Sequence, residues 1–235
     1  MVLLGNKEEV KMATITQKQL YEDAILCMSK DHIHQTKWVT KLDTLILWEE
    51  VWDSVHNFPM SNKTKSIIWE QIHLNYYTQY SYNKWHGKTD RCPLCNKIPE
   101  NIFHIILHCD FVNFLWTQLQ PTLNQLHNKP LNDEEKALGI VNIKKSTGMI
   151  LRNWLTYKMR EMIMQFERES YATKCVSLEL LKAKFNQAMA YEIKGLMIKH
   201  KNENRLTKFD TIIAFRGILC KKIQEGEYKY QIILK

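Results

Sequence analysis

The chain has 235 residues, of which 45% are hydrophobic and 25% are charged, a composition typical of a folded globular protein rather than a disordered one. Seven glycines and five prolines are too few for a collagen-like, linker-rich or turn-rich all-β chain. The formal net charge of +8 falls entirely within residues 131–235, which favours a polyphosphate partner for this part of the chain. Lysines that lie on solvent-exposed helix faces and bind no partner would give the same excess of charge.

The first third of the chain has the periodicity of α-helices. Apolar residues recur at three-to-four spacing, which predicts helices over 17–29, 38–56 and 62–80. Pro59 ends the second of these, and Ser61 can cap the third. We therefore predict a helical N-terminal region over 1–85.

The remaining chain continues this pattern and becomes basic towards its end. A helix is predicted over 101–126, and acidic residues after Asn132 are suited to the start of a short helix. Longer helical patterns cover 147–171, 177–201 and 208–224. The tail 228–233 can pair as an edge strand after Gly226. With a boundary near residue 130, we predict regions over 86–130 and 131–235, the second a basic helical region.

Three of the six cysteines fall within eighteen residues and carry a metal-binding pattern. Cys92 and Cys95 are separated by two residues, so both sulfurs can face one point; His104 and Cys109 follow on the next helix. His108 lies on the same helical face as His104 and is an alternative fourth ligand, although thiolate is the better zinc donor. Buried free cysteines and surface histidines would be the non-functional alternative. The spacing predicts a Zn²⁺ site.

Four protein ligands would leave no position for a water molecule, so we expect a structural rather than a catalytic zinc ion. The metalloprotease pattern fails, because Ile105 stands where the general-base glutamate is required. The chain has no glycine-rich phosphate loop and no adjacent pair of aspartates of the polymerase type. We therefore expect no enzymatic activity. The predicted fold is mainly α, with helical lobes around a small zinc knuckle and a short C-terminal strand.

The segment over about 40–117 resembles the Cys-Cys-His-Cys (CCHC) zinc-binding region that follows the reverse transcriptase in LINE-type, non-long-terminal-repeat retrotransposon polyproteins. The residues that carry the resemblance are Trp69, His73, Trp85, Cys92, Pro93, Cys95, Glu100, His104, Cys109, Phe114 and Trp116. The tryptophan-rich stretch 48–52 and the lysine-rich stretches 152–168 and 182–199 resemble its flanks. The resemblance also favours Cys109 as the fourth ligand. It implies a module that binds RNA or DNA beside a reverse transcriptase.

Basic and aromatic residues around the knuckle fit this implication, because cations follow a phosphate backbone while aromatic rings stack on unpaired bases. The candidate nucleic-acid-binding residues are Lys84, Trp85, Lys88, Arg91 and Lys97, with Lys144, Lys145 and Arg152 as a second surface. Packing of Trp85 against the zinc site and solvated lysines are the alternatives.

We thus expect binding to RNA or single-stranded DNA, and association with a reverse transcriptase polyprotein. The most apolar stretch near the end, 209–220, contains Asp210 and Arg216, so no membrane association is expected. An intracellular location, nuclear or cytoplasmic, follows from the lack of a secretion signal. The alternative is a protein-interaction scaffold in which zinc only holds helical lobes together.

Overall fold

The structure is a computed structural model that describes residues 2–3, 9–10, 33–56, 60–76, 78, 87, 91–97, 100–139, 146–173, 177–224 and 227–232. Contacts divide the chain into two compact units, 1–46 and 47–235. The three regions predicted from the sequence, 1–85, 86–130 and 131–235, stay predictions.

The fold is mainly α-helical, as predicted. The helices are α1 (Ile33–Leu42), α2 (Trp48–His56), α3 (Asn62–Ile72), α4 (Asp110–Leu126), α5 (Asp133–Leu138), α6 (Thr147–Thr173), α7 (Leu178–Asn202) and α8 (Leu206–Ile212). The strands are β1 (Val2–Leu3), β2 (Glu9–Val10), β3 (Cys220–Gln224) and β4 (Glu227–Ile232). A π-helical turn, His104–His108, precedes α4, and a 3-10 turn, Phe215–Gly217, follows α8. Within the described ranges, every helix is too short or too polar to cross a membrane.

The first unit contains the β1–β2 pair and α1. The two short strands are antiparallel, with Val2 opposite Val10. Helix α1 carries a fully buried Trp38. The helix predicted over 17–29 lies outside the described residues.

The single helix predicted over 38–56 is wrong. Asp43 has a φ of 50°, in the left-handed region, which ends α1 at Leu42. Helix α2 begins anew at Trp48, with Glu49 and Glu50 in its first turn, where carboxylates are favoured by the helix dipole. The periodic pattern of apolar residues continues through this turn, so the pattern alone did not indicate that the helix is interrupted there.

The helix predicted over 62–80 begins where expected but ends early. The Ser61 hydroxyl caps α3 by accepting a hydrogen bond from the Thr64 amide over 3.2 Å, as predicted. The helix stops at Ile72, and Leu74 takes a left-handed φ of 57°. Helix α3 is therefore shorter than predicted and is capped at its N-terminus.

Helix α5 begins with the acidic start that the sequence predicts. The Asn132 side chain accepts a hydrogen bond from the Glu135 amide over 2.7 Å, and the Glu135 carboxylate accepts one from the Asn132 amide over 3.3 Å. This reciprocal pair is a capping box.

Helices α6 and α7 confirm the predictions over 147–171 and 177–201. Every residue of α6 from 151 to 164 is buried, including Lys158 and Arg160. Helix α6 is therefore the central element of the second unit, with neighbours on all sides.

Charged side chains of this central helix are held by a buried network. Glu161 accepts hydrogen bonds from the Thr64 hydroxyl over 2.6 Å and from the Lys158 ammonium over 2.7 Å. Lys158 also donates to Glu192 over 2.9 Å, and the Trp154 indole donates to the same carboxylate over 3.0 Å. Since Thr64 lies on α3 and Glu192 on α7, the network ties both helices to α6.

The helix predicted over 208–224 is wrong. Helix α8 ends at Ile212, the 3-10 turn follows, and β3 pairs antiparallel with β4, Cys220 lying opposite Ile232. Left-handed φ angles at Arg216 and Gly217 turn the chain into β3. The strand predicted over 228–233 is thus confirmed as β4, and its partner is the segment that had been expected to be helical.

Candidate metal centre

The first half of the site is a tight turn that contains Cys92 and Cys95. The Cys92 amide donates to the carbonyl of Lys97 over 2.9 Å, and the Asn96 amide donates to the carbonyl of Cys92 over 2.8 Å. Asn96 adopts a left-handed φ of 60°, a conformation that asparagine tolerates better than most residues. These bonds close the knuckle and fix where the two thiols lie.

The second half is the π-helical turn before α4. The Asn101 side chain caps it by accepting a hydrogen bond from the His104 amide over 2.9 Å. The Cys109 amide then donates to the carbonyl of His104 over 2.7 Å, a five-residue closure. The continuous helix predicted over 101–126 is therefore wrong at this point.

This wide turn explains how His104 and Cys109 serve one site. In a regular α-helix, residues five apart lie about 140° apart around the axis, so their side chains diverge. The π-turn takes up the additional residue, and Cys109 leaves it with an extended backbone. Ile105 and Ile106 are buried in the core, which anchors the turn.

Four side chains converge at this point, and they are the four predicted ligands: Cys92, Cys95, His104 and Cys109. Their candidate ligand atoms all lie within 4.8 Å of one another. The sulfurs of Cys92 and Cys109 are 3.9 Å apart, and the sulfur of Cys95 is 3.2 Å from Nε2 of His104. The sequence therefore placed the cluster correctly.

These distances fit a tetrahedral zinc ion. Zinc–sulfur bonds of about 2.3 Å and a zinc–nitrogen bond of about 2.0 Å set sulfurs about 3.8 Å apart and a sulfur about 3.5 Å from nitrogen. The two measured separations agree with these values to within a few tenths of an ångström. The Cys92–Cys109 separation also excludes a disulfide, and all three cysteines are free.

The surroundings favour a closed site of structural type. Cys92, His104 and Cys109 are buried, and Cys95 is partly exposed. The indole of Trp116 donates to the carbonyl of Ile106 over 3.2 Å and so supports the π-turn from α4. With four protein donors, such a cluster leaves no coordination position for a water molecule.

The thiols need a cation to ionise at neutral pH. The neighbouring Cys109 sulfur, and then burial, raise the pKa of Cys92 to about 12. Burial likewise raises the pKa of Cys95. A bound metal supplies the compensating positive charge, because the thiolate is the form that binds zinc.

His108, the alternative fourth ligand, is exposed and lies outside the cluster. Cys109 occupies the inner position because it follows the π-turn and directly precedes α4. Its place at the start of this helix also favours a negative sulfur.

A comparison with protein families agrees with this geometry. The model of the family described as zinc-binding in reverse transcriptase matches residues 18–116, a range that contains all four cluster residues. The match supports a reverse-transcriptase-associated zinc-binding region in this chain, and zinc as the metal that the cluster can hold. Neither the curated proteins nor the solved structures gave a significant match.

Most of the predicted nucleic-acid-binding residues remain untested: Lys84, Trp85, Lys88, Lys144 and Lys145 lie outside the described residues. Arg91 and Lys97 are exposed on the knuckle. Arg91 donates to the carbonyl of Asn96 over 3.2 Å, and Lys97 forms a 2.7 Å ion pair with Asp110.

The prediction that Arg152 contacts nucleic acid is wrong, because its side chain is fully buried. Its guanidinium donates to the carbonyls of Leu123 and His127 over 3.2 and 3.0 Å and lies 3.5 Å from Glu135. Arg152 therefore caps the end of α4 from inside the protein.

Three of the residues that carry the family resemblance have structural surroundings that the sequence did not indicate. Trp69 stacks on His73 with ring centroids 4.0 Å apart, and Glu100 is fully buried next to the π-turn. The Asn101 side chain, at the predicted start of the helix over 101–126, provides its cap.

Proposed function

We propose that this chain is a non-catalytic nucleic-acid-binding module, related to the CCHC region that follows the reverse transcriptase of LINE-type elements. The observation that carries the proposal is the cluster of three cysteines and one histidine within a segment that matches reverse-transcriptase zinc-binding regions. The ligand is RNA or single-stranded DNA.

The metal has a structural role in this proposal. Because four protein donors surround it, zinc holds the knuckle and the start of α4 together and takes no part in chemistry. Arg91 and Lys97 then lie at fixed positions beside the site, exposed to solvent. Cations held in this way can contact phosphates without ordering a flexible loop on binding.

Partner and compartment follow from the same reasoning. The module works beside a reverse transcriptase, as part of a polyprotein or bound to one, and holds template or target nucleic acid. It acts inside the cell, in the nucleus or the cytoplasm, and not at a membrane.

The proposal is tested by fluorescence anisotropy with a labelled single-stranded RNA of about 15 nucleotides over a series of salt concentrations. Zinc-loaded protein should bind, with affinity falling by about 0.7 logarithmic units per contacted phosphate for each tenfold rise in salt. A Cys92→Ala, Cys95→Ala variant should bind more weakly. Cys220→Ala, which removes a buried free thiol outside the cluster, is the matched control. No binding at low salt contradicts the proposal.

A second candidate is a zinc-stabilised protein-interaction scaffold. It is favoured by three large apolar side chains that α7 exposes: Leu180, Tyr191 and Ile198. A scaffold would show weak nucleic-acid binding without a salt-dependent slope, which the same titration measures.

A further inference from the structure

Helix α7 has two chemically different faces. Its inner face packs into the protein through Leu181, Phe185, Met189, Ile193 and His200, all buried. The opposite side is exposed to solvent over most of the length of the helix.

Four residues in the second half of α7 form what we call the α7 outer face: Tyr191, Lys194, Ile198 and Lys201. At 100° per residue they lie within about 80° of arc and span about 15 Å along the axis. The side chains of Tyr191 and Ile198 are 66% and 55% exposed. A phenol ring this exposed on a packed helix has a flat surface available for a ligand.

The charge of this face is entirely positive. Lys194 and Lys201 are exposed, and neither forms an ion pair with another described residue. The helix's own Glu192 points inward, where it accepts hydrogen bonds from Lys158 and Trp154. The Glu192 carboxylate is therefore engaged away from this face.

We propose that the α7 outer face binds single-stranded nucleic acid, with Tyr191 stacked on an unpaired base and Lys194 and Lys201 on phosphates. This inference rests on the proposed function and assigns it to a surface outside the zinc-binding segment. Exposed aromatic rings among unpaired cations are the usual elements of single-strand binding, because every base has a π face and every nucleotide a charge.

Two features favour a nucleic acid over an apolar protein surface. Lys194 lies between Tyr191 and Ile198, so the apolar residues do not form a continuous stripe. Gly195 follows Tyr191 by one turn, and a β-carbon there would meet no atom within 4 Å. Because helical side chains lean towards the N-terminus, this glycine leaves one side of the Tyr191 ring uncovered.

The test uses two tyrosine variants that separate stacking from apolar contact. Tyr191→Phe keeps the flat ring, whereas Tyr191→Leu keeps the apolar surface and loses the ring. With a uniform oligouridylate of about 15 nucleotides, Tyr191→Phe should bind within about twofold of the wild type. Tyr191→Leu should bind about 5- to 150-fold more weakly.

The lysines have an independent readout. A Lys194→Gln, Lys201→Gln variant should reduce the steepness of the salt dependence by about 1.4 logarithmic units per tenfold change in salt, two phosphates being lost. Lys37→Gln removes an exposed lysine on α1 and is the charge control.

Suppose that the wild type binds, that Tyr191→Leu binds with the same affinity, and that the lysine variant shows the same salt dependence. That result would overturn this inference alone. The α7 outer face would then be a candidate surface for a protein partner, and the proposed nucleic-acid binding of the chain would stand. Failure of the wild type to bind would overturn both.

Discussion

The amide of Cys109 donates a hydrogen bond to the carbonyl of His104 over 2.7 Å, and this bond closes the turn that joins two of the four ligands. The turn spans five residues instead of the usual four, and Cys109 leaves it in an extended conformation. The site thus depends on a local departure from α-helical geometry, one that places a thiol and an imidazole on a common point.

The identity of the fourth ligand gives a first prediction. Cys109→Ala should lose bound zinc, because it removes a buried sulfur of the cluster, whereas His108→Ala should keep one zinc per chain. Elemental analysis after gel filtration measures both. Zinc retained by Cys109→Ala and lost by His108→Ala would reverse the assignment.

Removal of the metal should act locally. A strong chelator should increase amide hydrogen exchange across the knuckle, 92–97, because few apolar contacts besides Leu94 hold it. Protection over 151–164 in α6 should persist, since that segment is buried on all sides. Exchange followed by mass spectrometry separates the two segments. Uniform loss of protection would mean that zinc holds the whole unit together.

The Asn101 cap supports the π-turn. Asn101→Ala should lower the free energy of unfolding by about 1 kcal/mol, because the His104 amide loses its side-chain acceptor. Asn101→Asp keeps an acceptor oxygen and should stay near the wild type. Denaturant titration of the zinc-loaded protein measures both, and equal stability of all three proteins would show that the cap contributes nothing.

The buried guanidinium of Arg152 should matter for stability and not for binding. Arg152→Met removes the donor that the carbonyls of Leu123 and His127 share and the cation beside the Glu135 carboxylate, at a cost of about 3 kcal/mol. Arg168→Met, on the same helix but 56% exposed, should cost less than about 1 kcal/mol. Denaturation measures stability, and the RNA affinity of folded Arg152→Met should equal that of the wild type. A lower RNA affinity with unchanged stability would restore Arg152 as a contact.

Tyr76 links the stability of the fold to alkaline pH. Its phenol donates to the Met164 carbonyl and the Glu167 carboxylate, each over 3.0 Å; burial, and then the charge of Glu167, raise the pKa of Tyr76. The folded state therefore holds this proton more tightly than the unfolded chain, whose phenol ionises near pH 10.

The contribution of Tyr76 is present below about pH 10 and is lost as the pH rises above it. Denaturation midpoints measured across pH 8 to about 11 should fall less steeply for Tyr76→Phe than for the wild type. Tyr191→Phe, at an exposed phenol, should follow the wild type. Parallel curves for all three proteins would contradict the linkage.

The metal ligands could be predicted because zinc chemistry constrains residue type and spacing more strongly than the fold does. For Cys92 and Cys95 to bind one ion, a short turn between them is sufficient. For His104 and Cys109, it is sufficient that the chain brings both side chains close to that turn. The π-turn between the latter could not be predicted, because apolar residues at 105–107 fit an α-helix equally well. The sequence therefore indicated which atoms meet and not the backbone that brings them together.

Long-range packing explains the other differences. The sequence predicts Arg152 as a surface cation, but the end of α4 supplies buried carbonyl acceptors that no local pattern reveals. The segment 220–224 contains two lysines and a glutamine, which favour a helix, and it becomes a strand because β4 pairs with it. Helices α6 and α7 were predicted well because their periodicity extends over many turns.

X-ray absorption spectroscopy at the zinc edge of the purified protein tests the central claim most directly. The account predicts three sulfur ligands at about 2.3 Å and one nitrogen ligand at about 2.0 Å, from Cys92, Cys95, Cys109 and His104. Two sulfurs with two nitrogens, or a shell with water oxygen, would contradict the closed cluster and the structural role assigned to it.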